Sequence, residues 1–382
     1  MERILLTPGP TPLPETVRKA MARKMIHHRG ADFAELLHNV AEGIGYVMGT
    51  SPEKVLIFTA SGTGAMEAAV VNVLSKGDKV IVVNTGNFGA RWKQLCEIFG
   101  AEVIELKYDW GCQADVKDLE IALRENPECK AVFAQHLETS TGVENDVKKM
   151  AKLTSQSDAI FVVDAVSGLG CVEMKMDEWK IDVCIGSSQK GLMAPPGLSF
   201  MAFSDRAWER VENSDLPKFY LDAKKYRESI ANRQTPFTPA ISTFFAINES
   251  LQYIKKKTLK KILAKNAVLA QGTRAAIDVL GLELLPKKPC DAITAIKVPE
   301  GVDGKALLKK IEETYNVKLA GGQSEYKGKL IRFAHMGDIG REDTLKGIYA
   351  LEKALQEDKN FRVKELGKAT ETARKIFKSG DS

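Results

Sequence analysis

Seven apolar runs of strand length, most of them separated by a segment of helical period, constrain this chain more than any other feature. The runs fall at 55–59, 79–83, 102–106, 131–135, 159–163, 182–186 and 199–203, and amphipathic segments such as 64–74 and 87–99 lie between them. Strands spaced by helices imply crossover connections and parallel pairing, and a parallel sheet must be covered on both faces. The chain is therefore expected to form an α/β fold around a mainly parallel seven-stranded sheet. The last two runs are the exception. Only a loop containing Pro195-Pro196-Gly197 separates them, too short for a helical crossover, so an antiparallel pair at the sheet's edge is expected there.

From about residue 251 the pattern changes. A lysine-rich helix (255–261) leads into a long helical stretch, followed by an alternating run at 292–298, a helix at 305–315 and an apolar run at 330–334. This reads as a smaller α+β domain. The 382 residues exceed what one core usually organises, and 44% apolar content is enough to bury two. The expected division is an N-terminal segment (1–16), a large domain (17–257) and a small domain (258–382). The charged tail from 361 onward reads either as a peripheral helix or as partly disordered chain.

Composition excludes several classes of function. The net charge of +5, from 55 basic and 50 acidic residues, makes no nucleic-acid footprint. The six cysteines show no C-x-x-C pair and no regular spacing, which fits reduced thiols rather than a disulfide framework or a zinc site. His27-His28 lacks a third ligand at a plausible spacing, so no metal is expected; the adjacent Arg29 offers a bias toward acidic substrates. The first 16 residues hold four prolines and no long apolar core, and no run reaches about 18 apolar residues. Neither a signal peptide nor a membrane span is expected, and the reading is cytoplasmic.

In open α/β sheets ligands bind beyond the carboxyl ends of the strands, so the residues just after each run are where chemistry is sought. Ser61-Gly62-Thr63-Gly64 opens a helix whose free amides and positive dipole end suit a phosphate, without the lysine of a nucleotide loop or the spacing of a dinucleotide fingerprint. Phe88 follows the second run and offers a face to an aromatic ring. In His136-Leu137-Glu138-Thr139-Ser140, the Thr139 hydroxyl is a candidate hydrogen-bonding group. Asp164 ends an apolar run beside Ala165 and Val166; a carboxylate in such surroundings expects a protonated nitrogen opposite it. Lys190, in Ser188-Gln189-Lys190-Gly191, can hold an aldehyde cofactor as a Schiff base.

Taken in order, these pieces resemble the fold type I pyridoxal phosphate enzymes, and among them the class V aminotransferases of the alanine–glyoxylate and serine–pyruvate type. The resemblance runs from Leu6-Thr7-Pro8-Gly9-Pro10-Thr11 through Gly62-Thr63-Gly64-Ala65-Met66-Glu67, Glu138-Thr139-Ser140-Thr141-Gly142 and Val163-Asp164-Ala165-Val166-Ser167 to Gln189-Lys190-Gly191-Leu192-Met193-Ala194-Pro195-Pro196-Gly197 and Leu330-Ile331-Arg332. It implies pyridoxal 5'-phosphate as cofactor, with Lys190 as covalent tether and proton carrier and Asp164 on the ring nitrogen. Phe88 would take the place of a stacking Trp. Ser61, Gly62, Thr63 and Gln189 would line the phosphate, and Thr139 and Val166 would touch the ring. Thr235 and Thr238 would reach the phosphate of a neighbouring subunit, which implies a homodimer; relatives often carry Tyr where this chain has Thr235. Arg332 would bind the substrate α-carboxylate bidentately, near the backbone of Gly9.

The expected reaction moves the amino group of a small L-amino acid, alanine or serine, to a 2-oxo acid, glyoxylate or pyruvate. Aspartate and other donors are the alternative within the family. A cysteine desulfurase typically shows His-Lys and a mobile-loop cysteine, whereas this chain has Gln189-Lys190 and, beyond Cys184, only Cys290. A binding module without turnover would have no use for Lys190, Asp164 and Arg332 together.

Overall fold

The computed structural model describes residues 3–379. In chain order its strands are β1 (Ile4–Leu5), β2 (Val55–Phe58), β3 (Lys79–Asn84), β4 (Glu102–Lys107), β5 (Ala131–Gln135), β6 (Leu137–Glu138), β7 (Val143–Glu144), β8 (Ile160–Asp164), β9 (Val183–Ser187), β10 (Ser199–Phe203), β11 (Ile293–Lys297), β12 (Val317–Lys318), β13 (Ala320–Gly321) and β14 (Leu330–Ala334). All seven expected runs are strands of one sheet, ordered β2-β10-β9-β8-β5-β3-β4. Pairing is parallel from β4 across to β9, and β10 runs antiparallel to both β9 and β2.

The antiparallel pair is present, but it is not at the edge. β10 lies between β9 and β2, so the strand pair that carries the Lys190 loop sits one strand in from the edge. All five residues of β10 are buried, and the edge on its side is β2, whose four apolar residues are also buried. The opposite edge, β4, is only partly covered and ends in exposed Glu102 and Lys107.

The sheet's two faces feed two cores because side chains alternate along each strand. Val132, Phe161 and Val163 pack with Phe33, Leu37 and Ile44 of the helix Ala31–Met48 on one side. Phe133, Ile160 and Val162 pack with Ala65, Met66 and Val70 of the helix Gly62–Val73 on the other. A third core gathers around the antiparallel sheet β11-β14-β13 and the helices Leu259–Val279 and Arg341–Gln356.

Three local features depart from the sequence pattern or settle it. The lysine-rich segment 255–261 is not one helix: Ile241–Lys257 ends at Thr258, whose φ of 65° breaks the helix and whose hydroxyl accepts from Lys261 N at the start of the next. The tail forms the helix Lys368–Ser379, burying Ala369, Ala373 and Phe377. A Cβ on Gly272 would lie 2.2 Å from the Phe377 ring, so the two helices meet where one lacks a side chain. β1 pairs in parallel with β12, and Leu6 is fully buried in the third core. Among the described residues no helix is long and apolar enough to cross a membrane.

Candidate active site

The carboxyl ends of β2, β3, β5, β8 and β9 open on one cleft of about 260 Å³. Ten of the sequence-selected residues line it: Gly9, Ser61, Gly62, Thr63, Phe88, Thr139, Asp164, Val166, Gln189 and Lys190. A larger cleft of about 390 Å³ lies behind His136 and Trp179 and contains none of them. Strand ends thus collect residues up to 181 positions apart in the chain, from Gly9 to Lys190.

Lys190 is buried, and its ammonium donates to the Pro8 carbonyl. Burial and the nearby Arg332 guanidinium lower its pKa from 10.5 to about 8, against the opposing pull of Asp164. The N-terminal segment closes on this lysine: Thr11 Oγ1 donates to the Lys190 carbonyl at 2.8 Å and Thr11 N to the Gln189 carbonyl at 3.1 Å.

Asp164 accepts from Val166 N at 2.8 Å and from Gln135 Nε2 at 3.1 Å. Burial raises its pKa from 3.8 to about 6. No cationic side chain forms an ion pair with it among the described residues, so it remains a carboxylate looking for a cation.

At the other end of the cleft, Ser61 caps the helix Gly62–Val73 by accepting from Gly64 N at 3.2 Å. This leaves the Gly62 and Thr63 amides at the positive helix end. A Cβ on Gly62 would lie 3.0 Å from Val166 and 3.3 Å from Ser187 Oγ, which explains the small residue there. Gln189 Oε1 and Ser187 Oγ are buried without a hydrogen-bond partner.

Arg332, Thr235 and Thr238 do not line the cleft. Arg332 projects from β14, buried, donating through Nη1 to the Thr139 carbonyl at 2.9 Å and through Nε to the Gly321 carbonyl at 3.0 Å. It has no carboxylate partner among the described residues, and burial lowers its pKa to about 10. Thr235 is buried and donates to the Phe237 carbonyl, while Thr238 faces solvent. Arg29 is directed to that same segment, donating to the Thr235 carbonyl at 2.6 Å and to Gln234 at 2.9 Å, and is absent from the cleft. The expected bias toward acidic substrates therefore has no support from its position.

Sequence reasoning passed over three participants. Glu138 is fully buried; Oε2 accepts from Phe88 N and Gly89 N, each at 3.0 Å, and Oε1 from Ser140 N and Oγ. It thereby caps the helix Asn87–Ile98 from a different strand end. A Cβ on Gly86 would come within 2.6 Å of Glu138 Cγ, so glycine is required for this approach. Ser167 shares a short hydrogen bond with Thr139. Arg91 lines the cleft beside Phe88. Its signal was present, since a residue three positions after Phe88 lies on the same helix face.

The family model described as aminotransferase class V matches residues 5–331. The chain belongs to the class V aminotransferases. It is 34% identical both to an L-aspartate–glyoxylate aminotransferase of Paracoccus denitrificans and to a serine–glyoxylate aminotransferase of Methylorubrum extorquens, in each case over 92% of this chain and 90% of the relative. It is also 40% identical, over 93% of both chains, to a protein of Synechococcus named as the small subunit of a soluble hydrogenase. Among solved structures, the pyridoxamine–pyruvate aminotransferase of Mesorhizobium loti superposes with a TM-score of 0.94 at 26% identity, covering 100% of this chain and 98% of that one. The fold of this class V aminotransferase is thus that of its family throughout. Its Cys290 is buried, with its thiol pushed up to about 12, the reverse of what a nucleophilic mobile-loop cysteine needs.

Proposed function

We propose that this class V aminotransferase uses pyridoxal 5'-phosphate to move the amino group of a small L-amino acid, alanine or serine, to glyoxylate or pyruvate. The observation that carries the reading is the single cleft in which a lysine with a lowered pKa, a buried carboxylate without a cation and a helix amino-terminus converge. The residues fit the cofactor. The Gly62 and Thr63 amides, Ser61 and the unpartnered Gln189 Oε1 edge suit its phosphate end, with the Gln189 amide turned as a donor. Phe88 and Val166 supply apolar surface to the cleft, and Asp164 suits a protonated ring nitrogen.

When bound, pyridoxal phosphate supplies the electron sink that stabilises negative charge at the substrate Cα. The chain's own groups do the rest. Lys190 tethers the cofactor and, once released, is a base with a pKa near working pH, able to take the proton from Cα and return it. Asp164 holds positive charge on the ring nitrogen. Arg332, already fixed by two backbone carbonyls, presents its remaining donors to the α-carboxylate. Pro8 and Gly9 exclude water from the lysine.

The exposed Thr238 and the segment 234–239 support a homodimer in which this segment completes a neighbouring phosphate site. Charge and composition support a cytoplasmic enzyme without a nucleic-acid partner.

The test is to titrate the purified protein with pyridoxal phosphate and follow a visible absorbance band, then to offer a panel of amino donors with glyoxylate or pyruvate. A band absent in Lys190→Ala, and oxo-acid product from alanine or serine, are expected. No cofactor band in the native protein, or sulfide release from cysteine without transamination of any donor, would sink the reading.

A further inference from the structure

Arg91 is the one cation of the cleft to which the reaction above assigns no task. It sits at the start of the second turn of the helix Asn87–Ile98, three residues after Phe88. Its guanidinium carbon lies 4.6 Å from the centre of the Phe88 ring, and its Nη1 donates to Thr63 Oγ1 at 2.9 Å. Among the described residues it makes no ion pair, so nothing acidic holds it there. The two groups it touches follow different strands: Thr63 opens the helix Gly62–Val73 after β2, and Phe88 opens the helix Asn87–Ile98 after β3. Both line the cleft.

We infer that Arg91 is a positioning residue that fixes the aromatic wall and the phosphate loop against each other. The inference rests on the proposed use of pyridoxal phosphate. A guanidinium is suited to the task because its flat face stacks on an aromatic ring while its edge keeps directional donors free. Phe88 is only partly buried and would otherwise be free to turn about its side-chain bonds, with its backbone held by Glu138 but its ring unheld. Stacking on Phe88 holds the ring, and the bond to Thr63 ties it to the helix amino-terminus. Lysine keeps the charge and can still donate to Thr63, but it has no planar face.

The experiment is an equilibrium titration of the apo protein with pyridoxal phosphate, read by the absorbance and the circular dichroism of the bound cofactor. Native protein, Arg91→Ala, Arg91→Lys, Phe88→Leu and the double variant Phe88→Leu/Arg91→Ala are compared. Arg91→Ala is expected to raise Kd about tenfold and to weaken the induced dichroism per bound cofactor, with Arg91→Lys recovering only part of each. The double variant is expected to bind little worse than the weaker single variant, because both changes remove one stacked wall. A Kd for Arg91→Ala within twofold of native, full recovery by Arg91→Lys, or multiplicative losses in the double variant would overturn the inference. If Arg91→Ala fails to fold, the lysine and leucine variants carry the same comparison. Failure of the native protein to bind the cofactor at all would instead defeat the reading on which the inference rests.

Discussion

Gly9 lies flat against the side chain of Lys190: a Cβ at position 9 would stand 2.4 Å from Lys190 Cδ and 2.7 Å from Cε. Its φ of +112° is also one that side-chain-bearing residues rarely adopt. The amino-terminal segment is thereby part of the wall that buries the lysine. Gly9→Ala is expected to displace the Lys190 side chain, lowering kcat at least tenfold, while backbone strain of about 1–3 kcal/mol lowers Tm by several degrees. Steady-state kinetics with a melting curve check this, and unchanged kcat would separate residue 9 from the lysine.

Burial gives Lys190 a pKa of about 8 instead of 10.5. The neutral amine therefore dominates above about pH 8, where an ordinary lysine remains almost wholly charged. The rate at which apo protein captures pyridoxal phosphate is expected to rise with pH through a midpoint near 8. A midpoint near 10 would show that the cleft does not tune this lysine.

Asp164 is raised from 3.8 to about 6, so the folded protein binds the extra proton between those values. Its contribution to the stability of the apo protein is present below about pH 4 and is lost as pH rises through about 6; the whole effect is at most about 3 kcal/mol. Asp164→Asn removes this slope. The variant apo protein is expected to gain on native in Tm from pH 4.5 to 7, while its turnover falls far more than its cofactor retention. Near-normal activity would remove Asp164 from the ring nitrogen.

Arg332 is held by the Thr139 and Gly321 carbonyls and makes no ion pair among the described residues. Losing its charged hydrogen bonds to a substrate carboxylate costs about 1.5–3 kcal/mol, or roughly tenfold to a hundredfold in KM. Arg332→Ala is expected to raise KM for donor and acceptor alike with an unaltered cofactor spectrum. Arg332→Lys should restore little, since the fork geometry is lost. Equal KM values in variant and native enzyme would exclude it from the substrate site.

Glu138 accepts from four donors and makes no ion pair among the described residues. In Glu138→Gln one acceptor oxygen becomes an amide that confronts N–H or O–H groups, leaving buried donors unpaired at a cost of about 1–3 kcal/mol. A Tm drop of several degrees together with weaker cofactor binding is expected, because the cap is also what seats Phe88. A variant that melts like native protein would contradict the assignment.

The order of elements and most of the cleft were legible in the chain. Every expected strand of the large sheet lies within one residue of its expected bounds, because short runs of β-branched and apolar residues record burial on both faces. Ser61, Asp164 and Lys190 could be found because ligand sites follow strand ends, a rule of sequence position. Glu138 and Arg91 escaped because their meaning lies in what they face. A glutamate in a polar segment gives no sign that two amides at the start of a helix will point at it, and the spacing of Arg91 from Phe88 signals a shared helix face but not the contact with Thr63.

By itself the sequence determined the strands of the large sheet and which side chains stand at their ends, since local periodicity and turn chemistry suffice for both. Only the tertiary structure decided the order of strands, with β10 between β9 and β2. It also decided the meeting of Gly9 with Lys190 and of Arg332 with Thr139, and the burial that lowers one pKa and raises another. Those are set by contacts between residues far apart in the chain, and no local pattern encodes a distance or a dielectric.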